Sequence, residues 1–326
     1  MEQRDGATLS AQYRRFAEEE VRDKSPLYRE LSLGVAGDPE IIAFLLALPR
    51  PKRQPNLLLA AFRYLLGTPG GWRQFRAGVL RHRDALRATM LARSTQTNEP
   101  GRCAALLPVL ARLPQPLALL EVGASAGLCL LPDFYGYDYG GRILLPDPGG
   151  PMAPVFPCAV DAATPVPAEL PRVVWRAGID LDPVDLADPS EVKWLEALVW
   201  PEQTDRLARL RAAITIASER RPRVVKGDMS TELAPLAREA PRDATLVIFH
   251  TAVLLYLPAP ERQKFTRSVG GLCDFWIASE TPAMLPEAAR TAGDGPRGSY
   301  LIARNGAAVA WADVHGAWLD WIEGAG

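Results

Sequence analysis

Cysteine, histidine and net charge are all scarce in this chain of 326 residues, and each scarcity closes off a chemistry. The four cysteines, Cys103, Cys129, Cys158 and Cys273, are scattered and form no Cys-x-x-Cys pair. Zinc and iron–sulfur ligation are therefore not expected. Nor is a disulfide framework expected in a chain this long with so few thiols. Lys+Arg 37 against Asp+Glu 38 leaves a net charge of -1. A balanced chain gives no electrostatic case for nonspecific nucleic-acid binding. Long apolar runs are missing as well. Nothing reaches the roughly 18 residues that a bilayer span requires. The opening MEQRDGATLSAQYRRF is charged and has no apolar signal core. The expectation is a cytoplasmic protein with no metal, no nucleic-acid partner and no membrane partner.

What is present is a core-forming composition, 48% hydrophobic, arranged in two textures. Residues 1–115 read as helices. Ser10 is expected to cap a helix through Val21, with Tyr13, Phe16, Ala17 and Val21 as its apolar stripe. Asp38-Pro39-Glu40 is a helix start followed by Ile41, Phe44, Leu45 and Leu48. Asn56 opens a further run, and Val79 to Arg93 reads as one amphipathic helix with a basic side. Residues 116–326 alternate strands and helices, which favours a parallel sheet. Strands are expected at Leu117–Val122, Pro171–Ile179, Arg223–Lys226, Thr245–His250 and Phe275–Ser279. Asn305-Gly306 then marks an antiparallel hairpin. A segment at about 131–169, rich in Gly, Pro, Tyr and Asp, interrupts the first crossover. It reads as an insertion with a small hairpin near Gly140-Gly141, serving either as a packing flap or in function.

The most informative segment is LALLEVGASAGLCLL, Leu117 to Leu131. An apolar strand runs into a turn of small residues, Glu121, Gly123, Ala124, Ser125 and Gly127, and then into an apolar stretch able to start a helix. Small residues there let a ligand approach the backbone. The spacing is not the Gly-x-Gly-x-x-Gly of dinucleotide sites. Other polar residues collect at the remaining strand ends, where open parallel sheets bind ligands. They are Asp180 and Asp182 after the second strand, Asp228 with Met229 after the third, His250 after the fourth and Glu280 after the fifth. Gln96, Asn98 and Glu99 form a polar cluster before the first strand, placed to line a substrate pocket with Tyr256. Glu99 could equally cap the helix that follows it. His250 is the candidate general base, with Glu280 as the next.

The turn resembles the first motif of Rossmann-like S-adenosylmethionine (SAM) dependent methyltransferases. More closely, the chain resembles the DUF2332 family of bacterial proteins. The supporting strings are QTNEPGRCAALLP from Gln96, LLEVGASAGL from Leu119, RAGIDLDPVD from Arg176, WLEALVWPEQTDRLARLRAA from Trp194 and FHTAVLLYL from Phe249. Cys129 stands where that family's AGLN-type string has Asn. The resemblance implies a Rossmann-like methyltransferase sheet, mostly parallel with a C-terminal antiparallel hairpin, preceded by an α-helical region. It implies SAM as cofactor. Asp180 or Asp182 would accept from the ribose hydroxyls, and Asp228 from the adenine amino group with Met229 beside the ring.

The expected function is methyl transfer to an oxygen or nitrogen of a small-molecule substrate. The alternative is a catalytically inactive SAM- or nucleoside-binding regulatory module of the same fold. A nicotinamide oxidoreductase fits the glycine spacing less well, and a hydrolase is expected least. The sequence leaves the oligomeric state open.

Overall fold

The computed structural model describes residues 2–146 and 153–322. It forms two compact units, one of Met1–Thr97 with Asp188–Ala208 and one of Asn98–Ala187 with Arg209–Gly326. This division differs from a boundary at residue 115. The helix after Asn98 belongs with the sheet, and a later helical segment belongs with the first unit.

The first unit is helical: α1 (Glu2–Arg15), α2 (Pro26–Gly37), α3 (Pro39–Leu46), α4 (Pro55–Leu66), α5 (Trp72–Arg81) and α6 (Arg83–Ala92). Ser10 lies inside α1 rather than capping it, and the helix runs on through a π-helical turn, Phe16–Glu20. The caps are elsewhere. Ser25 Oγ accepts from Tyr28 N at 3.1 Å, and Asp38 Oδ1 accepts from Glu40 N at 2.9 Å and Ile41 N at 3.1 Å. Each cap precedes a proline at the first helical position, where a missing N–H costs nothing. The amphipathic run 79–93 is two helices broken at His82, whose φ of -114° and ψ of 30° leave the helical region. Tyr13, Tyr28, Leu31, Ile41, Leu45, Phe62 and Phe75 fill the core.

The second unit opens with α7 (Arg102–Leu110), β1 (Leu117–Val122), β2 (Gly136–Tyr139), β3 (Arg142–Leu144), β4 (Val155–Pro157), β5 (Ala159–Val160) and β6 (Val173–Asp180). The chain then supplies α8 (Pro189–Leu198) to the first unit, and α9 (Thr204–Arg220) begins there and ends in the second. Next come β7 (Arg223–Lys226), α10 (Met229–Ala237), β8 (Thr245–Thr251), α11 (Ala259–Ser268), β9 (Phe275–Glu280), α12 (Pro286–Ala292), β10 (Tyr300–Arg304), β11 (Ala307–Ala312) and β12 (Trp318–Trp321).

Nine strands form one sheet in the order β5-β12-β11-β10-β9-β8-β1-β6-β7. The run from β9 to β7 is parallel, and β9 to β12 is an antiparallel meander. Asn305 and Gly306, at φ of 50° and 81°, make the β10–β11 turn that the dipeptide predicts. Every residue of β1 is buried, as a central strand covered on both faces should be. The chain leaves β1 toward β6 and β7, then returns to its other side for β8 and β9. The strand order therefore reverses at β1, and the carboxyl ends of β1 and β8 flank the crevice where such sheets bind ligands.

No α-helix follows the turn after β1. Gly127 leads instead into two single 3-10 turns, Leu128–Leu130 and Pro132–Phe134, and Pro132 prevents helix continuation. The insertion is a separate three-stranded sheet, β3-β2-β4, with its hairpin at Gly140-Gly141. Part of the expected 131–169 insertion, residues 147–152, lies outside the described residues. Tyr135, Tyr137 and Tyr139 alternate along it and face inward. Their hydroxyls donate to Leu128 O (2.9 Å), Pro132 O (2.6 Å) and Ala104 O (2.7 Å). Among the described residues no helix is long and apolar enough to cross a membrane.

Candidate functional site

The turn after β1 is built to spend its own hydrogen bonds. Gly123 and Ala124 donate N–H to Ile179 O at 2.8 and 3.1 Å, and Gly127 donates to Ala124 O at 2.7 Å. Ser125 N donates to Asp180 Oδ2 at 2.8 Å, and Ala126 N to Asn98 Oδ1 at 3.0 Å. Every N–H from Gly123 to Gly127 thus has a partner inside the chain. A phosphate cradle needs converging free N–H groups, so this turn does not make one.

The glycines answer to protein packing. Gly123 (φ 73°) would place a Cβ 2.5 Å from Val253 Cγ2. Gly127 (φ 70°) would place one 3.0 Å from Pro222 and 3.1 Å from Val224. The expectation that small residues open this space to a ligand is corrected accordingly. Val253, on the loop after β8, lies over Gly123, and a ligand that touches that backbone must displace it.

Asn98 and Asp180 clamp the turn from two sides. Asn98 Nδ2 donates to Ser125 Oγ at 3.0 Å, and Asp180 Oδ1 accepts from Asp182 N at 2.8 Å. Asp182 is exposed and pairs at 3.1 Å with the equally exposed Lys226. Asp228 caps α10 through Ser230 N at 2.7 Å, and its bonds from Ser230 hold its pKa below the usual value. Met229 begins that helix and packs against the sheet core. Glu99 is buried and accepts from Gly101 N at 3.0 Å, closing the turn into α7. Tyr256 is 70% exposed on the loop after β8. Gln96 ends the first unit in a segment without regular structure.

Glu121 and Glu280, both near the carboxyl edge, sit on opposite faces of the sheet. Glu121 is level with Phe249 in β8, and Val122 with His250. Successive strand residues alternate faces. Glu121 therefore shares a face with Phe249 and Thr251, whereas His250 shares the other with Ala278 and Glu280. The His250 face is the one packed by α10, α11 and α12 through Leu233, Leu236, Phe265 and Ala288.

On that face the polar groups are linked in a chain that leaves Glu280 Oε2 buried and unpartnered. His250 is fully buried, and its Nε2 accepts from Trp276 Nε1 at 3.0 Å. An indole nitrogen only donates, so the histidine proton is assigned to Nδ1, which donates to Glu280 Oε1 at 2.7 Å. The same oxygen accepts from Val253 N at 2.7 Å and Leu254 N at 3.0 Å. The general-base expectation for His250 does not fit this geometry. Its one lone pair is taken by the indole, and its ring is packed between Phe265 and Trp276. Glu280 is equally buried, and its Oε1 holds the loop that carries Val253.

The other face is open in charge. Glu121 is 3% exposed, and its Oε2 is buried with no hydrogen-bond partner. Burial pushes its pKa well above the usual carboxylate value, Cys129 and Asp180 add to that, and Arg102 opposes it. Arg102 was not singled out from the sequence. It is 7% exposed on α7, with Nε donating to Val314 O at 3.0 Å and Nη1 to Thr251 Oγ1 at 3.1 Å. Its guanidinium carbon lies 5.9 Å from the Tyr300 ring centroid. No sequence signal marks it: it stands in NEPGR as the first residue of α7.

Residues 123–127 also spell Gly-x-Ser-x-Gly, the spacing of a hydrolase nucleophile elbow. Ser125 has a positive φ of 49°, as a strained elbow would. An elbow serine needs a base, and His250 lies on the opposite face with both nitrogens committed. Among the described residues no group of three or more His, Cys, Asp or Glu side chains could hold a metal.

Fold and site together define a mixed α/β protein with polar residues gathered near the switch point of a large, mostly parallel sheet. The chain belongs to the family described as uncharacterized protein conserved in bacteria, DUF2332, whose profile matches residues 10–321. Among curated proteins and among solved structures, nothing matches it.

Proposed function

We propose that this protein binds SAM at the carboxyl ends of β1 and β6 and transfers its methyl group to a small-molecule oxygen or nitrogen acceptor. The observation that carries the reading is the chemistry of the crevice. Its turn offers no free N–H to a phosphate, while Glu121, Asp180, Asp182 and Asp228 lie at or just beyond the carboxyl ends of β1, β6 and β7. That set of acceptors suits a cationic nucleoside without phosphates. The buried, unpartnered Oε2 of Glu121 is a vacant acceptor for it.

When bound, SAM supplies an electrophilic methyl group on a sulfonium. The protein's share is alignment, which accounts for much of the rate of such a transfer. Asp180 holds the turn through Ser125 N, and its carboxylate would accept from the ribose hydroxyls. Glu280 and His250 act through the backbone of Val253 and Leu254 and set the loop over Gly123, which makes them positioning residues. Calorimetric titration with SAM and with S-adenosylhomocysteine tests the reading. Heat from neither, with folded protein, rejects it.

One observation favours the inactive binding module instead. The two groups expected to move a proton, His250 and Glu280, are fully buried and tied into structure. Binding without turnover across an acceptor panel would select that reading.

A further inference from the structure

The net charge of -1 is a sum over unlike regions. Between residues 50 and 93 ten side chains are Lys or Arg, and one, Asp84, is acidic. The whole stretch lies in the helical unit. Some of these cations are spent on the fold. Lys52, Arg53 and Arg63 donate to backbone carbonyls, Arg76 pairs with Asp38 and Glu40, and Arg93 pairs with Glu191. Arg73, Arg81 and Arg87 are not spent in this way. They are exposed, and no described residue forms an ion pair or a side-chain hydrogen bond with them. Arg83 is also exposed and lies 3.7 Å from Glu40.

These four arginines fall at helical repeats. Arg73 and Arg81 share one face of α5 with exposed Ala77 between them, about 12 Å apart at 1.5 Å per residue. Arg83 and Arg87 are one turn apart on α6. The opposite faces are closed, with Phe75, Val79, Leu86 and Met90 fully buried. Arg83 and Arg87 also border a hollow of about 410 Å³, open to solvent. Its other walls are Phe44, Ala43 and Glu40 of α3 and Asp84 of α6.

Exposed arginines by themselves make a solvated face. Here they are unpaired in a chain rich enough in acids to pair them, and they flank a hollow with an aromatic wall. Phosphate suits free guanidinium forks, which bind it bidentately. A lipid surface needs an apolar side to enter it, and on α5 and α6 that side is in the core. An acidic protein segment would leave the hollow unused. An unstacked base fills it, with Phe44 to stack on and Glu40 or Asp84 to accept from an exocyclic amino group. The geometry points to single-stranded nucleic acid as the ligand of this face. Its phosphates lie on Arg73, Arg81 and Arg87, and one base enters the Phe44 hollow. The face belongs to the helical unit and does not rest on the SAM reading of the sheet.

The test is fluorescence anisotropy of the full chain with a fluorescein-labelled single strand of about 20 nucleotides. Binding is expected at about 50 mM salt, falling with a log–log slope of about -2 for three neutralised phosphates. Arg73→Glu/Arg81→Glu/Arg87→Glu should weaken binding about tenfold or more and flatten that slope. Arg14→Glu/Arg22→Glu reverses two exposed charges off these helices and should leave binding nearly unchanged. Only exposed side chains are altered, so both variants should keep the wild-type thermal midpoint. An abasic strand of the same length should bind about fivefold more weakly, the value of one stacked base. Phe44→Leu should narrow that gap. No binding at low salt, equal weakening by the two charge reversals, or equal affinity for the abasic strand overturns the proposal. Binding to phosphatidylserine vesicles but not to the strand makes this a lipid surface and overturns it as well.

Discussion

The two faces of the sheet at its carboxyl edge treat ionisable groups in opposite ways. Behind the sheet, His250, Trp276 and Glu280 pass hydrogen bonds from one to the next, and Glu280 ends by holding two backbone N–H groups of the loop after β8. In front, Arg102 and Glu121 are as deeply buried but stay apart. The first set is joined by hydrogen bonds, although Glu280 Oε2 stays buried and bare like Glu121 Oε2, and the second pair shares no bond. The difference separates residues that tie the loop after β8 to the sheet from residues left apart. The residue type most suggestive of chemistry, a buried histidine, lies on the holding side.

Removing His250 should have the largest effect. His250→Ala empties a ring-sized space between Phe265 and Trp276 and strands the indole N–H. A loss of about 3–5 kcal/mol is expected from large-to-small core substitutions, read by urea denaturation. An equal loss in Arg102→Gln would erase the contrast between the faces. Gly123→Val comes next. It meets Val253 at 2.5 Å and forces a branched residue to a φ of 73°. Overpacking alone costs about 1–3 kcal/mol, and the backbone adds about 1–2 kcal/mol. Pairing it with Val253→Gly should return part of that loss, which a double-mutant cycle measures.

Glu121 gives a smaller effect with a definite sign. Its folded pKa is raised well above 4.5, so the native state binds more protons than the unfolded chain above that pH. Stability that is complete at lower pH is therefore lost as pH rises through the raised value. Glu121→Gln carries no charge to bury, so its thermal midpoint should gain on the wild type between pH 5 and pH 8. Parallel midpoints across that range would mean that Glu121 finds a partner in solution.

Local patterns carried much of this fold. Leu117–Val122 and Arg223–Lys226 are the strands that their apolar runs predict, and Asn305-Gly306 turns as its chemistry requires. What failed depended on distant partners. GLCLL reads as a helix start, but Pro132 and the tyrosines of the insertion hold it as 3-10 turns. His250 reads as a base because periodicity marks it as a strand end, without saying which face it takes or that Trp276 waits there. Arg102 was invisible for the converse reason. An arginine in a helix is ordinarily solvated, and only the fold shows this one buried without an anion. The acids at the strand ends were legible as positions. Whether each is free or already employed was not.

Asp180 and Asp182 put that last distinction to the smallest test. Asp180 ends β6 and Asp182 follows it, and the resemblance makes one or the other the ribose acceptor. In the structure Asp180 spends one oxygen on Ser125 N and the other on Asp182 N, each at 2.8 Å. Asp182 pairs with Lys226, with both side chains mostly in solvent. Exposed pairs of this kind contribute about 0–1 kcal/mol, so Asp182→Ala should leave the unfolding midpoint nearly unchanged. Asp180→Ala frees a backbone N–H in the turn and should cost about 1–3 kcal/mol, as an unsatisfied buried donor does. Asp180→Asn separates turn from ligand. Its amide oxygen can still accept from Ser125 N, so most stability should survive. Any loss of SAM affinity in that variant then reports on the ribose rather than on the fold. Equal unfolding midpoints for the two alanine variants would show that Asn98 holds the turn without help from Asp180.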